Sequence, residues 1–412
     1  VTARTAVTAA ALAVSLLAPS AAPAASSRPK TDRTLRADLV RLAKSAGGSG
    51  GFTVLDGSTG RVIAESAGTT ARPLGSTAKL LTTDAALRTL GAAHALTTTV
   101  ALNPNYAPGG VLDGDVYLIG GGDPLLGEAQ LQTLATDVTL RGVKTITGSI
   151  IGDETLFDTL RGGPATHGAF DLNFGGTLGA LTYDRGRQAV GGPLQPDPGR
   201  AAAFRLDDVL EARGVTIAGT PRAGATPAGL VPLGAVGSVQ STVGDVVKVI
   251  DKQSDDFAAE VLTKDLGAAR HQDAPGYGTT ANGVRTIKSM IYGLPLRPVD
   301  GSGVDPATEG SSRALARFVQ KARKLPELAS ALPIAGVDGT LANRMTTAPA
   351  RGACHAKTGS LPQSHVSALA GWCRVGGRTL VFALQRTHVR SQPAAKAAED
   401  AMVQRIASSR RR

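Results

Sequence analysis

Aromatic side chains are scarce in this sequence, only 3% of 412 residues, so a core has to be built mainly from Leu, Val, Ile and Ala. Cysteine is limited to Cys354 and Cys373, and histidine to six scattered residues. None of the histidines pairs with Cys, His or a carboxylate at ligand spacing, so neither a metal nor a cofactor is expected. Acidic residues are outnumbered: 33 Asp and Glu face 44 Lys and Arg, for a net charge of +11. Those cations are spread along the chain, and only Arg410-Arg411-Arg412 form a run. No basic cluster is interleaved with aromatics, which argues against a nucleic-acid partner. A basic surface suits an anionic cell envelope instead.

Long apolar runs are lacking as well. The stretch from Ala6 to Leu17 is too short for a membrane span and is followed by Pro19 and Pro23. Behind Arg4 and ahead of the small-x-small pattern Ala22-Pro23-Ala24, it reads as a secretory signal over residues 1–25. The expected mature chain has no transmembrane span and works outside the cytoplasm, secreted or associated with the envelope. Cys354 and Cys373 lie in two strand-like runs joined by a short loop. A cross-hairpin disulfide and two buried free thiols both fit.

What is plentiful is glycine (51), proline (23) and apolar residues (42%), the balance of a turn-rich globular chain long enough for two or more domains. Leu35, Leu39, Val40 and Leu42 predict a first helix. Residues 52–56 and 61–64 alternate as strands around a Gly57-Ser58-Thr59-Gly60 turn. The glycine-rich 47–51 segment lacks the Gly-Lys-Ser/Thr ending of a phosphate loop and is expected to be a flexible turn. From about Leu96 to Val236, short β-like runs alternate with Gly/Pro turns, interrupted by helical stretches at 125–142 and 201–214. Helices return at 245–250, 255–266, 279–292 and 313–324. Strand-like runs at 352–358, 366–375 and 379–385 then form an antiparallel meander, closed by a helix over 394–406.

The chemistry centres on Pro73-Leu74-Gly75-Ser76-Thr77-Ala78-Lys79. Residues three apart share a helix face, so the Lys79 amine can lie beside the Ser76 hydroxyl and take its proton. Alone, the pattern equally fits a helix N-cap and a solvated lysine. Two later patterns answer it. Ser254-Asp255-Asp256 stands at the predicted head of a helix, and Lys357-Thr358-Gly359 ends a predicted strand. Ser-x-x-Lys, then Ser-Asp-x, then Lys-Thr-Gly, in that order, is the motif set of the penicillin-recognising serine enzymes.

Over nearly its whole mature length the chain resembles the serine D-alanyl-D-alanine carboxypeptidase/endopeptidase branch, the class C low-molecular-mass penicillin-binding proteins. The segments that carry the resemblance are Leu80-Leu81-Thr82-Thr83, IGGGDP at 119–124, LTYD at 181–184, DGSG at 300–303, LPIAGVDGTL at 332–341 and AKTGSL at 356–361. It implies an α/β fold: a transpeptidase/β-lactamase-like antiparallel sheet sandwiched by helices, with a β-rich inserted domain. The composition change agrees, dividing the chain into a discontinuous domain (34–96 and 238–406) around an insertion at 97–237, with a basic tail at 407–412.

By resemblance, Ser76 would attack the bond between the terminal D-alanines of a peptidoglycan stem peptide, and penicillins would acylate the same serine. Lys79 would act as base, and Ser254 would pass the proton to the leaving amine. Lys357 would bias Lys79 towards the free amine and attract the terminal carboxylate, which Thr358 would also bind. Gly359 and Ser360 would bring the strand edge to the substrate, and the backbone N–H groups of Ser76 and Ser360 would hold the oxyanion. One position departs from the family pattern: the third residue of the second motif is Asp256 rather than asparagine. An ionised Asp256 cannot donate a hydrogen bond, and at ~4 Å and an effective dielectric of ~20 it would attract an ammonium at Lys79 by ~4 kcal/mol. Asp256 must then be protonated, point away, or leave the enzyme slow or a mere binder. Two other functions fit the fold less well: a non-catalytic sensor or scaffold, and a β-lactamase, for which no deacylating Glu-x-x-Leu-Asn-like segment follows Ser254.

Overall fold

The computed structural model describes residues 30–409 apart from 46, 103–105, 108 and 270–275. The proposed secretory signal and Arg410–Arg412 lie outside the described residues.

The frame is a five-stranded antiparallel sheet in the order Cys354–Leu361, Val366–Val375, Arg378–Thr387, Ser49–Asp56, Val62–Ser66. The first strand of the chain thus pairs with the last, Phe52 opposite Leu384 and Asp56 opposite Leu380. Alternation along each strand sends side chains to two different cores. Phe52, Val54, Leu380, Phe382 and Leu384 face the helices Lys30–Ser45 and Gln392–Ala407, meeting Leu35, Leu39, Met402, Val403 and Ile406. Leu55, Val381, Ala383 and Ala370 face the other way, into a larger core with the helices Lys79–Thr89, Val243–Gln253, Asp256–Ala268 and Ser312–Ala322. The Ser312–Ala322 helix contributes Ala314, Leu315, Phe318 and Val319, positions three and four apart on one stripe. With so few aromatics, each layer closes mainly on aliphatic side chains, around Phe52 and Phe382 in one and Phe318 and Trp372 in the other.

Between Ala95 and Thr242 the chain builds a separate core from Val100, Leu118, Leu131, Leu134, Val138, Ile150, Leu206 and Leu210. Here the β content is only part of the story. Val116–Ile119 and Ile150–Asp153 pair in parallel, with the helix Glu128–Leu140 between them in sequence. That is a βαβ crossover, because parallel neighbours need a long connection. The outgoing strand Ala95–Leu102 and the returning strand Ala235–Thr242 lie side by side, Ala95 opposite Thr242.

Two local expectations are corrected, and one left open is decided. Ser49, Gly50 and Gly51 are not a flexible turn but the start of the first strand, with Gly50 and Gly51 opposite Arg386 and Gln385. Ser254 does not head a helix: it ends the preceding one, as the C-cap of Val243–Gln253 in a left-handed conformation (φ 63°). Asp255 is the N-cap of the next helix, its carboxylate accepting from the Ala258 N–H. The cysteines, left open between two states, form a disulfide, as strand pairing sets Cys354 directly opposite Cys373.

Candidate active site

Ser76 sits in a tight 3-10 turn, Gly75–Ala78, that runs into the Lys79–Thr89 helix. Gly75 has φ 51°, and a Cβ there would stand 3.3 Å from the Ser360 nitrogen, so glycine lets the turn press against the edge of the sheet. Gly359 makes the reciprocal contact, as a Cβ on it would fall 3.2 Å from the Ser76 nitrogen. Cys354–Leu361 is an edge strand whose first residues pair with Pro333–Ala335, Ala335 N–H donating to the Cys354 carbonyl and Ala356 N–H to that of Pro333, which leaves the outer edge beyond Ala356 for an extended peptide. The Ser76 and Ser360 backbone groups are thereby brought into one place.

Lys79 is fully buried and is held at three points. Its Nζ donates to Ser76 Oγ at 2.8 Å, to Asp256 Oδ1 at 2.5 Å and to the Ser302 carbonyl at 2.7 Å. Asp256 therefore points at the lysine, not away from it. Its carboxylate stays about a third exposed, on the cleft side, while the lysine lies beneath.

Ser254 closes the second half of the site. Lys357, also fully buried, donates to Ser254 Oγ at 2.7 Å and to the Thr358 carbonyl at 3.1 Å. Burial pushes the Lys357 amine down to about 7, helped by the positive charge of Lys79 and opposed by Asp251 and Asp256. Thr358 Oγ1 bonds Thr340 Oγ1 at 3.0 Å, tying the 332–341 segment to the third motif. All eight residues singled out from the sequence thus fall in one cluster, joined through the short Ser254–Asp256 turn and the contact of Gly359 with the Ser76 turn.

Other contributors had been given no role from the sequence. The Asp300–Gly303 loop supplies the carbonyl that holds Lys79, and Glu260 fixes it, accepting from Gly301 N at 3.0 Å and Ser302 N at 2.7 Å. Asp300 ties the loop from inside, accepting from Gly303 N at 3.0 Å, Asp305 N at 2.8 Å and Thr308 Oγ1 at 2.5 Å. Burial, then the neighbouring Asp300, raises Glu260 to about 7. Asp251, one turn before Ser254, is fully buried with neither carboxylate oxygen hydrogen-bonded, and burial raises it to about 7 despite the nearby charges of Lys357 and Lys79. The flanking glycines of the 300–303 segment were its visible signal, since a Cβ on Gly303 would meet the Gly75 carbonyl at 2.1 Å.

Among the described residues no group of three or more His, Cys, Asp or Glu could hold a metal ion, and no helix is long and apolar enough to cross a membrane.

Comparisons with known proteins agree on one relationship. The model of the D-Ala-D-Ala carboxypeptidase 3 (S13) family matches residues 36–191 and 194–409. A D-alanyl-D-alanine carboxypeptidase of an Actinomadura species is 28% identical, over 90% of this chain and 84% of the relative. Carboxypeptidase DacB of Mycolicibacterium smegmatis is 29% identical, over 80% of this chain and 75% of its own length. Among solved structures, penicillin binding protein 4 of Haemophilus influenzae superposes with a TM-score of 0.77 at 19% identity, covering 90% of this chain and 98% of that one. A predatory peptidoglycan endopeptidase of Bdellovibrio bacteriovorus reaches 0.57 at 15% identity, covering 86% of this chain and 90% of that one.

Proposed function

Because the chain belongs to the D-Ala-D-Ala carboxypeptidase 3 (S13) family and is a serine-type D-alanyl-D-alanine carboxypeptidase, we propose that Ser76 is its nucleophile and that the surrounding cluster divides the reaction as follows. Ser76 Oγ attacks the carbonyl between the two terminal D-alanines of a stem peptide as its proton passes to Lys79. The tetrahedral oxyanion sits between the backbone N–H groups of Ser76 and Ser360. Ser254 delivers a proton to the leaving amine, and Lys357 and Thr358 bind the terminal carboxylate. Water then hydrolyses the acyl-enzyme. β-Lactams acylate the same serine, and D-Ala cross-links are further substrates. The enzyme works outside the cytoplasm, on peptidoglycan. The organisation behind it is a catalytic unit of residues 34–96 and 238–406 around an accessory insertion at 97–237.

The observation that carries this reading is the contact of Lys79 Nζ with Ser76 Oγ, 2.8 Å, beside the Lys357–Ser254 pair. Intact mass after incubation with a labelled penicillin, and D-alanine released from a D-Ala-D-Ala peptide, test it. The parent protein forms one adduct and releases D-alanine, while Ser76→Ala does neither. A parent protein with no adduct and no release would end the proposal.

One observation favours a second reading. The Lys79–Asp256 ion pair opposes the free amine that acylation needs, as expected of a slow enzyme or of a sensor that binds without turnover. An adduct without D-alanine release would select the sensor.

A further inference from the structure

The second motif is gripped from outside the catalytic unit. Asp255, between Ser254 and Asp256, is nearly buried, and both its oxygens are taken by the guanidinium of Arg185, Nη1 to Oδ1 at 3.2 Å and Nη2 to Oδ2. The same guanidinium lies over the Phe257 ring, 5.3 Å from its centre. A Cβ on Gly176 would stand 2.3 Å from that ring, so the backbone leading to Arg185 rests directly on the start of the Asp256–Ala268 helix. Arg185 belongs to the inserted segment, and its own backbone is unusual: Asp184 and Arg185 have φ 39° and 64°. Ser254, on the other side of the contact, has φ 63°. Non-glycine residues hold such conformations only where their surroundings over-determine them.

We propose that Arg185 is a positioning residue for the reaction, clamping Asp255 so that Ser254 faces Lys357 and Asp256 faces Lys79. This rests on the roles given to Ser254 and Lys357 above. The geometry makes the division of labour plain. Arg185 holds the turn that carries Ser254 and Asp256 through the carboxylate of Asp255 and the Phe257 ring, and a bidentate arginine fixes orientation as well as distance. A lysine keeps the charge and loses the fork. The inserted unit therefore sets the second motif through Arg185.

The test compares the parent with Arg185→Ala, Arg185→Lys and Leu134→Ala, a cavity in the core of the same inserted unit. Acylation by a labelled penicillin is followed as a rate per titrated Ser76 site, so that unfolded protein does not count. Because releasing Asp256 from Lys79 would act in the opposite direction, each variant is also made on Asp256→Asn. Arg185→Ala is expected to slow acylation by about tenfold or more in both backgrounds, at unchanged half-saturation, since small misplacements of catalytic groups carry penalties of this order. Arg185→Lys should recover part of that loss, and Leu134→Ala should lower thermal stability while leaving the per-site rate intact. A per-site rate for Arg185→Ala equal to or above the parent's in both backgrounds would overturn the proposal, as would an equal loss in Leu134→Ala. Absence of any parent adduct would instead sink the assignment of Ser76.

Discussion

At the scale of single residues, two buried lysines and the carboxylates around them decide the behaviour of the site. Asp256 is the residue to change first. Replacing it with asparagine keeps a hydrogen-bond acceptor for Lys79 and removes the carboxylate charge from beside its Nζ. The acylation rate of Asp256→Asn should rise by about tenfold or more, equal to ~1.4 kcal/mol or more off the barrier. A stopped-flow measurement with a chromogenic β-lactam checks this, and an unchanged or slower rate counts against Asp256 as a brake. The second prediction concerns pH. Lys357 lies at about 7, below the ordinary lysine value, and Asp251 at about 7, above the ordinary carboxyl value. The two titrate as a pair, and whichever releases its proton first, the pair passes from net positive to net negative as pH rises through about 7. Glu260, also at about 7, adds negative charge in the same direction. A substrate held by its terminal carboxylate should therefore bind more weakly above pH ~7. Calorimetric titration of Ser76→Ala with a D-Ala-D-Ala peptide would show Kd climbing across that range, whereas tighter binding at higher pH would contradict it.

At the scale of elements, the site depends on close packing of a loop that carries no catalytic hydroxyl or amine of its own, Asp300–Gly303, against the Ser76 turn and the Asp256–Ala268 helix. Gly303 has φ 76° and lies against the Gly75 carbonyl, and a Cβ on Gly301 would fall 1.7 Å from Thr263 Oγ1. Gly303→Ala should cost roughly 2–4 kcal/mol of stability, from a left-handed backbone and a collision with main chain rather than a movable side chain. It should also slow acylation, because the Ser302 carbonyl that holds Lys79 moves with the loop. Thermal melting and per-site acylation of the variant measure both effects. The elements also show what was legible in the sequence. The three motifs and the meander were readable because their signals are local: three-residue spacing on a helix, alternation on strands, glycine at turns. Gly50 and Gly51 were not, since glycine carries no alternation and only pairing with Gln385 and Arg386 makes them a strand. Ser254-Asp255-Asp256 was legible as the head of a helix, but that Ser254 itself caps the helix before it was not, because two helices abut there with only Ser254 and Asp255 between them. The Arg185–Asp255 pair left no trace, as two charged residues 70 positions apart meet only through the fold.

At the scale of the whole molecule, charge and architecture act separately. The net charge of +11 is not concentrated in the site, so it bears on where the protein resides rather than on how it cleaves. Retention on isolated anionic cell-wall material should fall as salt shortens the Debye length from ~10 Å at 0.1 M to ~3 Å at 1 M. Ser76→Ala should be retained as well as the parent. Co-sedimentation across a salt series distinguishes this from retention through the catalytic cleft, which Ser76→Ala with a competing D-Ala-D-Ala peptide would reveal. The alternating composition of 97–237 coincides with a stretch whose Val100, Leu118, Leu131 and Leu206 pack into one core. It did not announce parallel strands, because strands of two to four residues are too short to show their own period.

That unit departs and returns on neighbouring strands, with Ala95 opposite Thr242. For the rest of the molecule it is a loop whose ends already touch. The entropy of closing such a loop grows only logarithmically, ~0.6 kcal/mol for each doubling of its length. The parts of it that stay clear of the frame can therefore be enlarged or trimmed at little entropic cost. The face that meets the Asp256–Ala268 helix resists such editing: Arg185 on Asp255, Asp158 on Lys264, and Phe157, Leu178 and Ala180 packed with Phe257, Val261 and Ala268. Size is the freely variable property of this insertion, and reach is the constrained one.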